Sequence, residues 1–386
     1  MARSPQKFGR LLTAAVHNIR ISDERSLKKT VRVVQDELGY ALGRHGGSSI
    51  EYWRKGNIPA TIDDLENLTR ELVKRNGLGS DETLQLLNYA GHPQPSGFWA
   101  ELFPLQQEFA SFVVGPPITH PRQFFGREAE LKRIFNLCKR FPLQNVAVIG
   151  CHRSGKSSLL HYLQSITTTA PNELRPGQQC NWLPQPEQFQ WVMVDFQDVR
   201  MGRRERLLRY LLSRLNLPVP DPCSLTNFMD TVSHQLQTPT MILMDEIGAG
   251  LASPELDQQF WWSLRALSGN YTEGKLGFVL TAHEAPAHVA HEYGKPSPFF
   301  NIFGHTLRLK PLSEAAAREL LATSSRPFNP TDVEWILTHS RRWPVLLQIL
   351  GDTCLTAQES GETGHGWRDE GLQRIAPYHY LFEAPC

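Results

Sequence analysis

The chain has 386 residues with 40% hydrophobic and 20% charged content and a formal net charge of +1. That length exceeds one average domain, and the ordinary composition excludes a disordered or fibrous polymer. Near-neutral charge gives no global sign of a nucleic-acid partner, and no apolar run approaches the length of a membrane span. Six scattered cysteines form no C-x-x-C pair, so neither a zinc site nor a disulfide framework is expected, and a reducing cytoplasm fits best.

The N-terminal end is the basic one, with eleven Lys/Arg against five Asp/Glu in residues 1–55. Helical periodicity broken by Gly/Ser/Asn turns predicts a small all-α domain over residues 1–90. Within it one helix ends near Gly39 or Leu42, a turn carries Gly46 and Gly47, and a second helix runs from about Ser48 to Arg54. The turn WRKGNIP follows, with Thr61 or Asp63 to cap the next helix. Residues 26–72 resemble an XRE-like helix-turn-helix unit. The resemblance implies DNA as partner, with Ser48, Ser49, Glu51, Tyr52, Arg54 and Lys55 at or near the groove and Lys28, Lys29, Arg32 and Arg44 meeting phosphates. A helical protein-interaction or oligomerisation module of the same shape is the alternative.

Residues 91–120, rich in proline with interleaved aromatics, read as a partly ordered linker. Beyond it, near-continuous apolar runs at 146–150, 191–196, 240–245, 277–282 and 306–310 alternate with helical patterns. Such runs predict a parallel sheet flanked by helices, an α/β core over residues 121–311, and residues 312–386 turn helical.

The segment GCHRSGKS at 150–157 matches G-x-x-x-x-G-K-[ST] between a strand and a helix, which predicts a phosphate-binding P-loop. Gly150 and Gly155 permit the tight turn, and both, with Ser154, Lys156, Ser157 and Ser158, are the expected nucleotide-binding residues. Lys156 reaches the β- and γ-phosphates and the Ser157 hydroxyl ligates Mg²⁺, with ATP the expected nucleotide. Cys151 lies inside the loop, so alkylating it is expected to block nucleotide binding.

MILMDEIG ends an apolar strand in Asp245, placed for the Mg²⁺ shell, and Glu246, placed to polarise an attacking water. Thr281 ends the strand GFVLTA, a position that resembles the strand end where AAA+-like ATPases carry a polar sensor of the γ-phosphate; that resemblance implies a sensor, and the alternative is a hydroxyl that caps its strand or the next turn. His283, Glu284, His288 and His291 cluster nearby, but their spacing is wrong for H-E-x-x-H and Pro286 interrupts an aligning helix, so no metal is expected there.

PRQFFGREAELKRIF at 121–135, WWSLRALSGN at 261–270 and SPFFNIFGHTLRLKPLSEAAARELL at 297–321 together resemble STAND-type signalling ATPases and their origin-recognition and archaeal AAA+ relatives, over about residues 121–355. The resemblance implies a helical lid at 312–386 whose G-x-P turn contacts adenine. Here SRRWPVLLQIL supplies Pro344 but replaces the glycine-rich approach with Arg342 and Trp343, and Trp343 either packs in the lid core or stacks on a base. Arg265, Arg341 and Arg342 are candidate phosphate contacts, in cis or across an oligomer interface. The family continues into a winged helix and a sensor array. The sequence stops near the expected start of that winged helix, so the sensor array is expected to be absent.

The expected function is a slow ATPase acting as a regulatory switch that binds DNA and forms nucleotide-dependent homo-oligomers. The alternatives are a signalling or defence ATPase whose N-terminal unit recruits a protein, and a DNA-handling AAA+ ATPase akin to transposition regulators.

Overall fold

Among the described residues, the helical periodicity of the first hundred or so positions becomes six helices: α1 (Pro5–Ser22), α2 (Val31–Ala41), α3 (Ser48–Arg54), α4 (Ile62–Lys74), α5 (Ser80–Ala90) and α6 (Pro95–Leu102). The computed structural model describes residues 3–22, 30–75, 77–102, 109–170, 173–175, 177–362 and 364–383. It divides into two units, Met1–Glu108 and Phe109–Cys386.

In the first unit, Phe8, Leu12, Val16, Leu38, Ile50, Trp53, Leu68, Leu72 and Leu86 share one core. Thr30 caps α2 by accepting from the Val33 N–H, and Thr61, rather than Asp63, caps α4 by accepting from the Asp64 N–H. The glycine-rich loop between α2 and α3 folds tightly onto α2. A Cβ on Gly39 would stand 2.0 Å from the Gly46 carbonyl oxygen, so only glycine permits that approach. The Gly47 N–H donates to Asp36 Oδ1 at 2.7 Å and closes the turn.

The stretch 91–120, expected to be a linker, is divided between the units. Pro95 opens α6, where its missing N–H costs nothing, and Phe98 of that helix is buried in the first core. Phe112 instead belongs to the second unit, with its ring against Gly351.

The second unit carries five parallel strands, β1 (Val146–Ile149), β2 (Gln190–Asp195), β3 (Thr240–Asp245), β4 (Leu276–Ala282) and β5 (His305–Arg308), in the order β2-β3-β4-β1-β5. Every residue of β1, β3 and β4 is buried, because helices cover both faces, while the edge strands β2 and β5 are partly exposed. Alternation along β3 sends Ile242 and Met244 into one core and Met241 and Leu243 into another.

One layer holds α7 (Glu128–Cys138) and α8 (Lys156–Ser165); the other holds α9 (Arg204–Arg214), α10 (Leu225–Gln235), α11 (Ile247–Ala252), α12 (Gln258–Ala266) and α13 (Pro286–Glu292). The expected α/β core is therefore present. The chain then forms α14 (Glu314–Leu321), α15 (Pro330–Ser340), α16 (Pro344–Glu359), α17 (Gly366–Ile375) and α18 (Tyr380–Glu383), which bury Leu320, Ile336, Trp343, Leu347, Leu350 and Trp367 together. No described helix is long and apolar enough to cross a membrane.

Candidate functional site

Parallel strands bring all their carboxyl ends to one edge of the sheet, so β1, β2 and β3 deliver the residues at their ends to a common place. There a cavity of about 410 Å³ is lined by Gly155, Lys156, Ser157 and Ser158 from the loop after β1, Asp195 from β2, and Asp245 and Glu246 from β3. Pro344, Val345 and Gln348 at the start of α16 line it from above, together with Val113 and residues 115–118.

The loop at 150–157 turns through left-handed residues, Arg153 at φ 63° and Gly155 at φ 95°, before α8 begins. Gly155 caps that helix, whose first N–H groups have no partner inside it and face the cavity as an anion cradle. Lys156 is 5% exposed, and its ammonium donates to the Gly150 and Cys151 carbonyls, each at 2.9 Å. Two of its three protons are thereby spent on the loop, and one remains for a phosphate. Burial pushes its pKa below 10.5, opposed by the negative charges of Glu246 and Asp245.

Asp245 is 5% exposed at the end of β3, and Glu246 follows in a left-handed conformation, φ 51° and ψ 56°, uncommon for a non-glycine residue. Thr281, wholly buried at the end of β4, joins the two. Its hydroxyl donates to Asp245 Oδ1 at 2.5 Å and accepts from the Glu246 N–H at 2.9 Å. The hydroxyl thus ties Asp245 to Glu246 across neighbouring strands, since β4 lies beside β3.

Ser154 sits inside the loop, off the cavity lining. Its side chain is fully buried, its N–H donates to the Cys151 carbonyl, and its hydroxyl faces the loop's underside rather than the cavity. Ser158 lines the cavity, with its hydroxyl accepting from the Ile118 N–H at 3.0 Å. Cys151 is disulfide-bonded, against the expectation of no disulfide, so the alkylation experiment requires prior reduction.

Trp343 packs in the helical core with its indole N–H donating to the Leu381 carbonyl at 3.0 Å, so it is not placed for base stacking. Arg265 is exposed on α12, outside the cavity lining. Arg341 donates to the Phe382 carbonyl and lies over the Phe382 ring, and neither it nor Arg342 lines the cavity.

Two residues of this region carry no role in the sequence pattern alone. Arg127, 8% exposed, donates to the Ser154 carbonyl at 3.1 Å and pairs with Glu130 at 3.4 Å, tying the FFGR segment to the underside of the loop. Burial lowers its pKa, offset by Glu130 and Glu128. Asp195 is the other, and only the register of β2 against β3 identifies it.

Near β4, Pro286 occupies the first turn of α13 rather than interrupting it, since proline is tolerated there. Glu284, His288 and Glu292 consequently converge within 4.8 Å on the surface, held as the ion pairs Glu284–His288 and His283–Glu292.

In the first unit, Arg32, Tyr52 and Lys55 are exposed and Ser49 is partly so. Arg44 is engaged elsewhere: it pairs with Asp64 at 2.6 Å and stacks over Trp53. Arg54 reaches back to Thr13 Oγ1 at 3.3 Å, and Lys55 pairs with Glu51. Lys28 and Lys29 lie outside the described residues.

Ser157, Asp195, Asp245 and Glu246 form an all-oxygen set of the kind that suits Mg²⁺, and the α8 N-terminus with Lys156 suits a polyphosphate, so the cavity's chemistry fits a magnesium nucleotide.

No known family model matches the chain, and no curated protein matches it. Among solved structures it is similar to the ORC2 protein of Aeropyrum pernix in its ADPNP–ADP complexes, at 13% identity, over 69% of this chain and 72% of that one, with a TM-score of 0.50. A Walker-type ATPase of Pyrococcus abyssi matches at 17% identity over 69% and 77% of the two chains, TM-score 0.46. Domain III of the replication initiation protein DnaA of Thermotoga maritima matches at 12% over 69% and 94%, TM-score 0.41. The ORC2 likeness identifies the P-loop ATPase fold and nothing finer.

Proposed function

We propose that the chain is a Mg²⁺-dependent ATP-binding switch of the STAND/AAA+ kind that hydrolyses ATP slowly and joins it to DNA binding. The observation that supports this best is the convergence of Lys156, Ser157, Asp245 and Glu246 on one cavity closed by Pro344. When bound, Mg²⁺ supplies charge neutralisation of the phosphates, with Ser157 and Asp245 holding it. Lys156 and the α8 N–H groups orient the β- and γ-phosphates, and Glu246 accepts a proton from the attacking water. Pro344 and Val345 belong to the helical lid in this reading, and Val113 with residues 115–118 adds to the wall beside them, the Val113 N–H donating to Gln348 Oε1 at 2.9 Å.

The DNA reading rests on the α2–turn–α3 arrangement as a helix-turn-helix, with Tyr52 exposed and Ser49 partly exposed on α3, Lys55 exposed just after it, and Arg32 exposed on α2. A second reading has its own support. Val33, Tyr40 and Tyr52 are 41%, 66% and 58% exposed on these same helices, which suits a protein partner.

Fluorescent-nucleotide binding with and without Mg²⁺, followed by light scattering with a non-hydrolysable ATP analogue and duplex DNA, tests the proposal. Lys156→Ala is expected to abolish nucleotide binding, and ATP with DNA is expected to increase molecular mass. DNA affinity is expected to fall steeply with salt. Indifference to DNA at every salt concentration with nucleotide binding intact leaves the protein-partner reading standing, and failure of the wild-type chain to bind nucleotide refutes both.

A further inference from the structure

Asp195 and Asp245 end adjacent parallel strands and are register partners, so they project to the same face of the sheet about 4.8 Å apart along the hydrogen-bonding direction. Both line the cavity with Lys156 and Ser157. Their surroundings differ. Asp245 is buried and receives the Thr281 hydroxyl, whereas Asp195 is exposed at the rim, with Oδ1 accepting from the Gln197 N–H at 2.9 Å.

The residue that follows Asp195 is anchored by its backbone and its ring. The Phe196 N–H donates to the Asp245 carbonyl at 3.2 Å, and the Phe196 ring packs against Gly250 and Trp261. A carboxylate held this firmly at the mouth of a phosphate site would repel a bare polyphosphate unless a cation stood between them. Mg²⁺ dehydrates reluctantly and keeps several waters when held by one or two carboxylates, so a rim carboxylate can grip the ion through its water shell.

We propose that Asp195 is a second metal-positioning carboxylate, which accepts hydrogen bonds from the water shell of nucleotide-bound Mg²⁺ and makes the site select magnesium nucleotide over free nucleotide. This rests on the nucleotide-binding reading above. It assigns Asp195 two effects of opposite sign: attraction when the divalent ion is present and repulsion when it is not.

Fluorescent-nucleotide titrations of the intact chain and its Asp195→Asn variant, in excess Mg²⁺ and in EDTA, separate these effects. The variant is expected to bind roughly tenfold more weakly in Mg²⁺ and several-fold more tightly in EDTA, with the Mg²⁺ midpoint moved upward. A structural role alone would shift both conditions in one direction, and that result overturns the proposal. So does tighter binding in EDTA with no loss in Mg²⁺, which would make Asp195 only a repelling charge. Asp195→Glu, which retains the carboxylate, is expected to restore most of the preference. If the wild-type chain binds nucleotide in neither condition, the underlying reading fails; if it binds and Asp195→Asn equals it in both, only the role of Asp195 fails.

Discussion

Replacing Thr281 by valine removes one hydroxyl at nearly constant volume from a wholly buried position and breaks two hydrogen bonds at once. The bond to the Asp245 carboxylate is charge-assisted, worth about 1.5–3 kcal/mol, and the Glu246 N–H loses its acceptor at a cost of about 1–3 kcal/mol. Because both share one hydroxyl the terms are not independent, and a net loss of about 2–4 kcal/mol is expected. Thr281→Ser keeps the hydroxyl and loses one methyl group, for about 1 kcal/mol.

Urea unfolding followed by tryptophan fluorescence measures the stability change, and a Mg²⁺ titration of nucleotide binding measures whether Asp245 stays in place. Thr281→Val is expected to be destabilised and to need more Mg²⁺, with Thr281→Ser close to the wild-type chain in both. If Thr281→Val unfolds within about 0.5 kcal/mol of the wild-type chain, below the cost of even one lost bond, and only hydrolysis falls, then the hydroxyl acts on the γ-phosphate and its role as a bridge between Asp245 and Glu246 is refuted.

Lys156 gives a pH dependence with two signs. Its folded pKa lies below the ordinary 10.5 because it is buried, so between those values the unfolded chain carries more protons and stability of the nucleotide-free protein rises with pH. Nucleotide affinity needs the charged amine and falls over the same interval. Thermal unfolding and nucleotide titrations from pH 7 to the alkaline limit are expected to run in opposite directions, and Lys156→Met is expected to flatten the stability trend. Arg127→Ala leaves the Ser154 carbonyl and Glu130 without their partner, and a loss of about 2–3 kcal/mol is expected in unfolding experiments. Since Arg127 touches the loop and not the cavity, nucleotide affinity of the folded variant should weaken through loop disorder, and Arg127→Lys should rescue only part of it because one amine replaces a planar fork.

The strands of the core were legible because burial on both sheet faces leaves near-continuous apolar runs, and the five runs at 146–150, 191–196, 240–245, 277–282 and 306–310 differ from the observed strands by at most two residues at an end. Lys156, Asp245 and Glu246 were legible because their chemistry is tied to local spacing. Asp195 was not, since its meaning depends on the pairing of β2 with β3, a non-local fact. Arg127 was hidden for a related reason. Its motif was visible in sequence, yet its partner is a backbone carbonyl 27 positions away, which leaves no side-chain signature. Proline reads as a breaker in sequence, whereas Pro95 and Pro286 both sit where a helix begins.

The turn before α16 shows how a backbone shape can persist without the residues that usually permit it. Arg341 and Arg342 adopt φ 44° and 63°, left-handed values that disfavour any residue with a Cβ by about 1–2 kcal/mol each. Contacts around them offset that strain. The Leu312 N–H donates to the Arg342 carbonyl at 2.9 Å, the Arg342 N–H donates to Ser340 Oγ, and Arg341 and Trp343 donate to the Phe382 and Leu381 carbonyls. The C-terminal residues thus hold a turn that delivers Pro344 to the cavity mouth, where a Cβ on Gly155 would lie 4.0 Å from its ring. Two residues with a Cβ have less conformational freedom in this turn than glycines would, and the bonds of Arg341 and Trp343 to residues 381–382 help to set the position of Pro344.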